Sequence, residues 1–308
     1  MDEKNLIPRT DNFKITVDYL SGKIFDSSLP ANQTINDSIL ESRKKNIQSN
    51  IQIINCAGSD IHFTEFDRAV LNALIAEQAA DKTFTTAKII FRRLGGGRDL
   101  TPSMRKAILD SVEKLARVRI VIENTKAVEK GIVDGDGKPK NKNDKSILKG
   151  YLFPTESFET KVHGQNIEVI AFSKNALTDK FKQGVIFANA ERHNHIITCD
   201  QDLLQAPINS NPRNIALNHY IVRRTLSIKG SNELAADNKH VKPLRKIITV
   251  DDMLGHCGLA DYNKFQKNKL LKTTRKILDY LISKNVISNY HLETIKGTGK
   301  IYSIILEF

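Results

Sequence analysis

The last fifty residues of the chain hold the feature that most constrains its fold. A helical pattern covers residues 263–286, and two apolar, strand-like runs follow it at 286–292 and 301–306. A basic, glycine-containing segment at 296–300 joins the two runs, and glycine favours a turn there. From Lys264 to Lys276 this segment carries six basic residues and no acidic residue: Lys264, Lys267, Lys269, Lys272, Arg275 and Lys276.

A helix followed by a β-hairpin with a basic tip is typical of the second half of a winged helix, a module that lays its helix in the DNA major groove. The same order is predicted earlier in the chain. Helical patterns there cover residues 64–79, 87–94 and 101–118, and a strand follows at 119–123. The sequence therefore predicts an α+β fold with two tandem winged-helix domains, each of three helices and a β-hairpin wing.

The length and the composition shifts indicate where these domains begin and end. At about 150 residues per domain, 308 residues fit two. The predicted division is listed here: an N-terminal arm at 1–50, a first winged-helix domain at 51–188, a linker at 189–211 and a second winged-helix domain at 212–308. Within the first domain, residues 126–149 contain seven lysines and little apolar material. They are predicted to form an enlarged, mobile, basic wing loop between two strands.

The charge is unevenly distributed along the chain. The net charge is +12, and residues 213–308 contain 17 Lys and Arg against 8 Asp and Glu, an excess of nine positive charges. A basic surplus concentrated in one region is typical of a protein that binds a polyanion. The alternative is a lysine-rich surface that is simply solvated, and charge alone does not decide between the two.

Other features of the composition indicate a cytoplasmic location. The cysteines Cys56, Cys199 and Cys257 lie far apart in sequence and are predicted to be free thiols in a reducing compartment. No apolar run approaches the roughly 18 residues that a membrane span requires, and the N-terminus does not resemble a signal peptide. We therefore expect a cytoplasmic protein with no membrane partner.

The last helical segment is predicted to separate a core face from a basic face. At 100° per residue, its apolar side consists of Leu270, Leu271, Thr274, Ile277, Leu278 and Leu281. Lysine and arginine neutralise phosphates, and asparagine can pair with adenine, so the opposite side suits insertion into a groove. Together with the hairpin tip, the predicted DNA-binding residues are Lys264, Lys267, Asn268, Lys269, Lys272, Arg275, Lys276, Lys296 and Lys300. The helix at 101–118 exposes charges of both signs and is predicted to be a poorer DNA reader.

Two short patterns resemble catalytic or ligand sites, but each lacks residues that such a site requires. The glycine run at 95–97 lacks the Gly-Lys-Ser/Thr ending of a phosphate-binding loop, so a turn between helices is the better prediction. His193 and His195 have an asparagine between them, where rolling-circle nucleases place a bulky apolar residue, and Cys199 has no nearby partner cysteine for zinc. We therefore expect no catalytic residues, no metal and no cofactor.

The two predicted winged units, with basic charge weighted toward the second, resemble the bacterial plasmid replication initiators built from two tandem winged helices. The likeness covers roughly residues 50–308, and it is architectural, with no diagnostic short motif. It implies sequence-specific binding to repeated origin sites in double-stranded DNA, with the second unit in the major groove. It also implies a homodimer formed through the first domain and the recruitment of host replication proteins.

We therefore expect a non-enzymatic initiator of plasmid or mobile-element replication. Two alternatives remain open at this point. A transcriptional repressor from a mobile element would use the same modules, and direct repeats beside the gene would favour the initiator. A rolling-circle nuclease would nick single-stranded origin DNA in the presence of magnesium or manganese.

Overall fold

The chain folds as an α+β protein, as predicted, with helices packed against small antiparallel sheets. The computed structural model describes residues 12–16, 28–29, 34–35, 49–55, 61–80, 82–97, 99–124, 146–162, 165–172, 184, 187, 196–237, 243–295, 297 and 301–308. The helices are α1 Glu65–Ala79, α2 Ala87–Arg93, α3 Pro102–Arg117, α4 Pro212–Asp237, α5 Val250–His256 and α6 Lys264–Ser283. The strands are β1 Asn12–Thr16, β2 Ser28–Leu29, β3 Thr34–Ile35, β4 Ser49–Asn55, β5 Ile61–His62, β6 Phe84–Thr86, β7 Val118–Asn124, β8 Ser146–Tyr151, β9 Thr155–Val162, β10 Gln165–Phe172, β11 Ile196–Asp200, β12 Ile247–Thr249, β13 Asn289–Thr294 and β14 Ile301–Glu307.

One order of elements occurs twice in the chain. Residues 61–172, here the first unit, contain α1, β6, α2, α3 and the hairpin β9–β10. Residues 212–308, here the second unit, contain α4, β12, α5, α6 and the hairpin β13–β14. In each unit the short strand pairs with the last strand of the hairpin, which gives the sheet orders β6-β10-β9 and β12-β14-β13.

The sequence places the starts of the helices through side chains that satisfy backbone groups. The side chain of Asp67 accepts a 2.8 Å hydrogen bond from the backbone N–H of Thr64, which confirms the predicted capping arrangement of α1. At α3, the hydroxyl of Thr101 accepts from the N–H of Met104 at 3.3 Å, and Pro102 occupies the first helical position. These local interactions explain why both helices begin where the sequence predicts.

The apolar stripes predicted for the first unit are buried. In α1 they are Phe66, Val70, Leu71, Leu74 and Ile75, and in α3 they are Met104, Ile108, Val112 and Leu115. The core formed by these residues continues without interruption into the second unit, because α1 packs directly against α4. The two units therefore share one hydrophobic core.

The first unit differs from the prediction in the position of its hairpin. The sequence placed the hairpin on the strands that flank residues 126–149. Those strands, β7 and β8, do pair, but they belong to a separate four-stranded sheet of order β3-β4-β7-β8. The hairpin that pairs with β6 is β9–β10, so β7 and β8 are inserted between α3 and that hairpin. Residues 125–145 lie outside the described residues.

The predicted arm and linker pair with each other. Strand β1 of the arm is antiparallel to β11, which lies in the predicted linker. A short 3₁₀ helix, Gln201–Leu204, follows β11 and buries Leu203 and Leu204. Gly95, with a φ of +83°, lies so close to this turn that an added Cβ would be 2.0 Å from the carbonyl oxygen of Leu204. The described part of the linker is therefore packed structure rather than a loose connection.

Helix α4 is longer than the sequence predicted. The prediction ended it at Ile228, because Gly230 and the polar residues after it indicated a loop, whereas the helix continues to Asp237. The Asn232 side chain donates to the carbonyl oxygens of Ile228 at 2.9 Å and of Leu244 at 3.3 Å. The bond to Leu244 attaches the last turns of α4 to the segment that leads into β12, and the bond to Ile228 lies within the helix. They help to offset the cost of glycine inside a helix, about 1 kcal/mol.

A buried ion pair joins the two units. The guanidinium of Arg223 in α4 donates two 2.8 Å hydrogen bonds to the carboxylate of Glu65 in α1. Burial alone would raise the pKa of Glu65, but the charges of Arg223 and Arg68 outweigh it and hold that pKa below its ordinary value. Arg223 therefore compensates a carboxylate that could not otherwise be buried in this position.

A buried histidine lies at the same junction. His219 in α4 donates from Nε2 to the carbonyl oxygen of Leu94 at 3.4 Å. Burial lowers its pKa to about 4, so the ring is neutral at physiological pH. The junction between the units thus contains a histidine that must remain uncharged.

Candidate nucleic-acid interface

Helix α6 has a well-defined N-terminus, which fixes which side chains point outward. The side chain of Asn263 accepts from the N–H of Gln266 at 3.0 Å, and the side chain of Gln266 accepts from the N–H of Asn263 at 3.0 Å. This reciprocal capping box begins the helix at Lys264. Because the start is fixed, so is the angular position of each residue on the helix surface.

The core-facing side of α6 agrees with the prediction. Leu270, Thr274, Ile277, Leu278 and Leu281 are buried, and Leu271 is partly buried. The one polar member of this set, Thr274, is fully buried, and its hydroxyl lies 3.9 Å from the sulfur of Met253 in α5. The apolar side is therefore held against α5 and the core.

The outward side of α6 presents the predicted basic residues to solvent. The exposed members are Asn268, Lys269, Lys272, Arg275 and Lys276. Lys267 is partly buried at the margin of this side, and nothing is described for the side chain of Lys264. We call the five exposed residues the basic face. The structure thus places five of the nine predicted contact residues together on one surface.

The acidic residue within α6 lies toward the C-terminal end of the helix. Asp279 is the first acidic residue of the helix, and it accepts a 2.9 Å hydrogen bond from the hydroxyl of Tyr290 on β13. Burial first, and then the bonded Asp279, raises the pKa of that hydroxyl. The first three turns of α6 therefore carry positive charge alone.

The hairpin that follows α6 supports the helix from the side. Strands β13 and β14 pair antiparallel over most of their length, with a shift in register between Glu293 and Thr294. At the tip, Gly297 has a φ of +80°, a conformation that favours glycine. The other predicted contacts, Lys296 and Lys300, lie outside the described residues.

The C-terminal end of α6 is attached to the segment between the units. The hydroxyl of Tyr280 donates to the backbone oxygen of Asp202 at 2.9 Å, and Lys284 pairs with the carboxylate of Asp202. The bond from Lys284 holds the pKa of Asp202 below its ordinary value, and the same bond raises the pKa of Lys284. Together with the apolar side, these contacts make α6 a supported helix rather than a projecting one.

The corresponding helix of the first unit has a different surface. On α3, Lys106, Asp110, Glu113 and Arg117 are exposed, and Glu113 pairs with Arg117 one turn away. Beside this helix, an open groove of about 460 Å³ separates α3 from β9 and β10. Four of the side chains lining the groove are carboxylates: Asp110, Glu113, Glu156 and Glu168. The prediction that this face carries charges of both signs is confirmed.

The sequence analysis missed an aromatic residue on the basic side of α6. Phe265, in the first turn, is 79% exposed, the highest value among the large hydrophobic residues described as exposed. Extending the helical wheel back by three residues from Asn268 would have placed it on the outward side. The predicted wheel began at Asn268 and so did not include it.

No group of three His, Cys, Asp or Glu residues among the described ones could hold a metal ion. Cys199 and Cys257 are buried and form no disulfide, and burial raises the pKa of Cys199 to about 12, so its thiol is unreactive. No helix in the described ranges is long and apolar enough to cross a lipid bilayer.

Comparisons with known proteins give a limited result. No family model matches the chain, and no curated protein matches it. A structure of a selenomethionine derivative of domains 2 and 3 of RctB is similar with a TM-score of 0.43 and 14% identity, over 92% of this chain and 95% of that one. A second structure of RctB domains 2 and 3 has a TM-score of 0.40 and 12% identity, over 92% of this chain and 96% of that one. Both TM-scores are below 0.5.

Proposed function

We propose that this chain is a sequence-specific double-stranded DNA-binding protein whose main DNA contact is α6. The observation that carries the proposal is the basic face, a surface with four cations and no acidic residue on a helix whose other side is buried. Lysine and arginine on such a face neutralise phosphates, and Asn268 can pair with adenine in the major groove. The hairpin β13–β14 lies beside the helix, where a wing would contact the backbone of the DNA.

We further propose that the first and second units are two winged-helix domains. The support is the repeated order of helix, short strand, helix, helix and hairpin, with the same strand order in both sheets. The insertion of β7 and β8 enlarges the first unit without altering that order. In this proposal α6 is the DNA-reading helix of the second domain, and α3 is its counterpart in the first.

The biological role that fits this architecture best is the initiation of plasmid or mobile-element replication in the bacterial cytoplasm. The protein would bind origin repeats without catalysing a reaction and would recruit host replication proteins. The first unit, whose α3 surface has mixed charge, is suited to protein contacts, including a homodimer. Because the two units share one core, the protein can bind DNA through the surface of α6 and other proteins through the surface of α3.

The first experiment measures DNA affinity as a function of salt concentration. Each phosphate contact contributes about −0.9 to the slope of log K against log salt, so Lys272→Ala with Arg275→Ala should reduce the slope by about 1.8. The matched control is Lys106→Ala, an exposed lysine on α3, for which we expect no more than a small change. An unchanged slope in the double variant would show that the basic face is only solvated.

The replication role is tested separately from DNA binding. The gene and its flanking DNA would be placed on a plasmid that has no other origin, and the number of transformants would be counted. Wild type and Lys106→Ala should support replication, while the double variant should not. Binding to flanking repeats without any replication would favour a transcriptional repressor.

A further inference from the structure

We propose that Phe265 recognises thymine by contacting its C5-methyl group in the major groove. This inference rests on the proposed function, because it assigns a specificity-determining residue to the same helix. The residue lies in the first turn of α6, and in groove-binding helices the N-terminal residues contact the base edges. Phosphate contacts made by the lysines position a protein on DNA but carry no sequence information directly.

The position of Phe265 on the helix surface is the first support. Lys269, Lys272 and Lys276 follow it at intervals of four, seven and eleven residues, so all four lie on one stripe of the helix. The buried side chain of Thr274 lies nine residues on, which places it on the opposite side. Phe265 therefore lies at the N-terminal end of this positive stripe and points away from the core.

The second support is chemical. On the major-groove edge the thymine methyl is the apolar group that tells thymine from the other bases, and an apolar side chain such as phenylalanine can contact it. Asn268 lies one turn away on the same side and is suited to adenine. The two side chains together would favour A·T pairs near the start of the helix.

The isolation of the ring argues against a protein partner at this site. Among the described side chains of α6, every other exposed one is polar or charged, as shown by Gln266, Asn268 and Lys269 around it. Protein interfaces depend on a desolvated cluster of apolar anchors, and a single ring surrounded by polar and charged side chains does not supply one. A DNA groove, by contrast, offers a methyl group between two rows of phosphates.

The test begins with selection of bound duplexes from a random library by the wild-type protein. The selected site would then be prepared with each thymine replaced in turn by uracil, which lacks the methyl group. Burying one methyl-sized group corresponds to about a fourfold change in affinity. We expect the wild type to lose about fourfold at one or two positions, and Phe265→Ala to bind thymine and uracil duplexes equally.

Two control variants make the result specific. Phe265→Leu retains an apolar side chain and should retain a preference for thymine over uracil. Lys272→Ala should weaken both duplexes by the same factor, because it removes a phosphate contact. Since Phe265 is exposed, none of its substitutions removes a core residue.

The outcomes separate this inference from the proposed function. Wild-type binding that is equally strong with thymine and uracil at every position overturns the role of Phe265 but leaves DNA binding by α6 intact. A selection that enriches no sequence overturns both. Unchanged thymine preference in Phe265→Ala also overturns the inference, and the loss of a replication partner in that variant would assign the ring to a protein contact instead.

Discussion

Helices α6 and α3 hold the same place in two units of the same element order, yet their surfaces differ in kind. The exposed side of α6 carries only positive charge over its first three turns, whereas α3 exposes charges of both signs beside a groove lined by four carboxylates. Both helices use their other side to close a shared core. The comparison shows that the core fixes where a helix lies, while a few exposed positions determine what it can bind.

The largest expected effect tests whether the buried ion pair between α1 and α4 holds the two units, and with them α3 and α6, in one stable fold. Arg223→Ala leaves Glu65 buried without its hydrogen-bonded partner and with Arg68 4.0 Å away, which should lower the free energy of unfolding by about 3 kcal/mol. The matched control is Arg117→Ala, which breaks the exposed pair with Glu113 on α3 and should cost less than about 1 kcal/mol. Denaturant unfolding measures both. Similar losses of unfolding free energy in the two variants would mean that the buried pair does not stabilise the junction between the units.

A smaller effect, with a defined pH window, concerns His219 at the same junction. Its folded pKa of about 4 lies below the ordinary 6.5, so the unfolded chain binds a proton that the folded chain does not. Stability should therefore be complete above pH 6.5 and should fall by about 2 kcal/mol as the pH drops to 5. His219→Gln should remove this part of the pH dependence. Thermal unfolding from pH 7 to 5 is the measurement, and equal pH slopes in both proteins would contradict the assignment.

The titration of Glu65 does not contribute to the change in stability between pH 7 and pH 5. Its pKa is held below the ordinary value, so its contribution to stability is present above that value and is lost only as the pH falls through the lowered one. The control for general acid effects is Arg117→Ala, in which the buried histidine is unchanged. That variant should keep the wild-type pH slope.

The smallest expected effect is on DNA affinity, and it tests whether α3 lies close to the bound DNA. If its face is turned away from the phosphates, neutralising the carboxylates with Asp110→Asn and Glu113→Gln should change DNA affinity by less than about 1 kcal/mol. Competition binding at one low salt concentration is the measurement. A tenfold gain in affinity would place α3 at the DNA surface and would weaken the contrast with α6.

The sequence predicted the local features of this protein better than its long-range ones. Side chains of Asp67, Thr101 and Asn263 begin their helices through bonds that span three residues, so the signal lies within a short stretch. The buried and exposed sides of α6 follow from helical geometry alone. These features could be predicted because neighbouring residues determine them.

The features that were missed depend on partners far away in the chain. The pairing of β10 with β6 spans more than eighty residues, and without that knowledge the nearer strands β7 and β8 were the natural candidates for the hairpin. The extension of α4 depends on a bond from Asn232 to Leu244, and the pair between Glu65 and Arg223 joins different units. No short sequence pattern specifies contacts of that range.

The close approach at Gly95 determines how chains of this kind can vary in sequence over time. A side chain there would collide with the oxygen of Leu204, whereas at Gly97 an added Cβ would have no atom within 4 Å. The same short run of glycines thus has a fixed end and a permissive end. Substitutions and added residues can accumulate on the side of Gly97, and the turn at Gly95 must stay as it is for the segment between the units to remain in place.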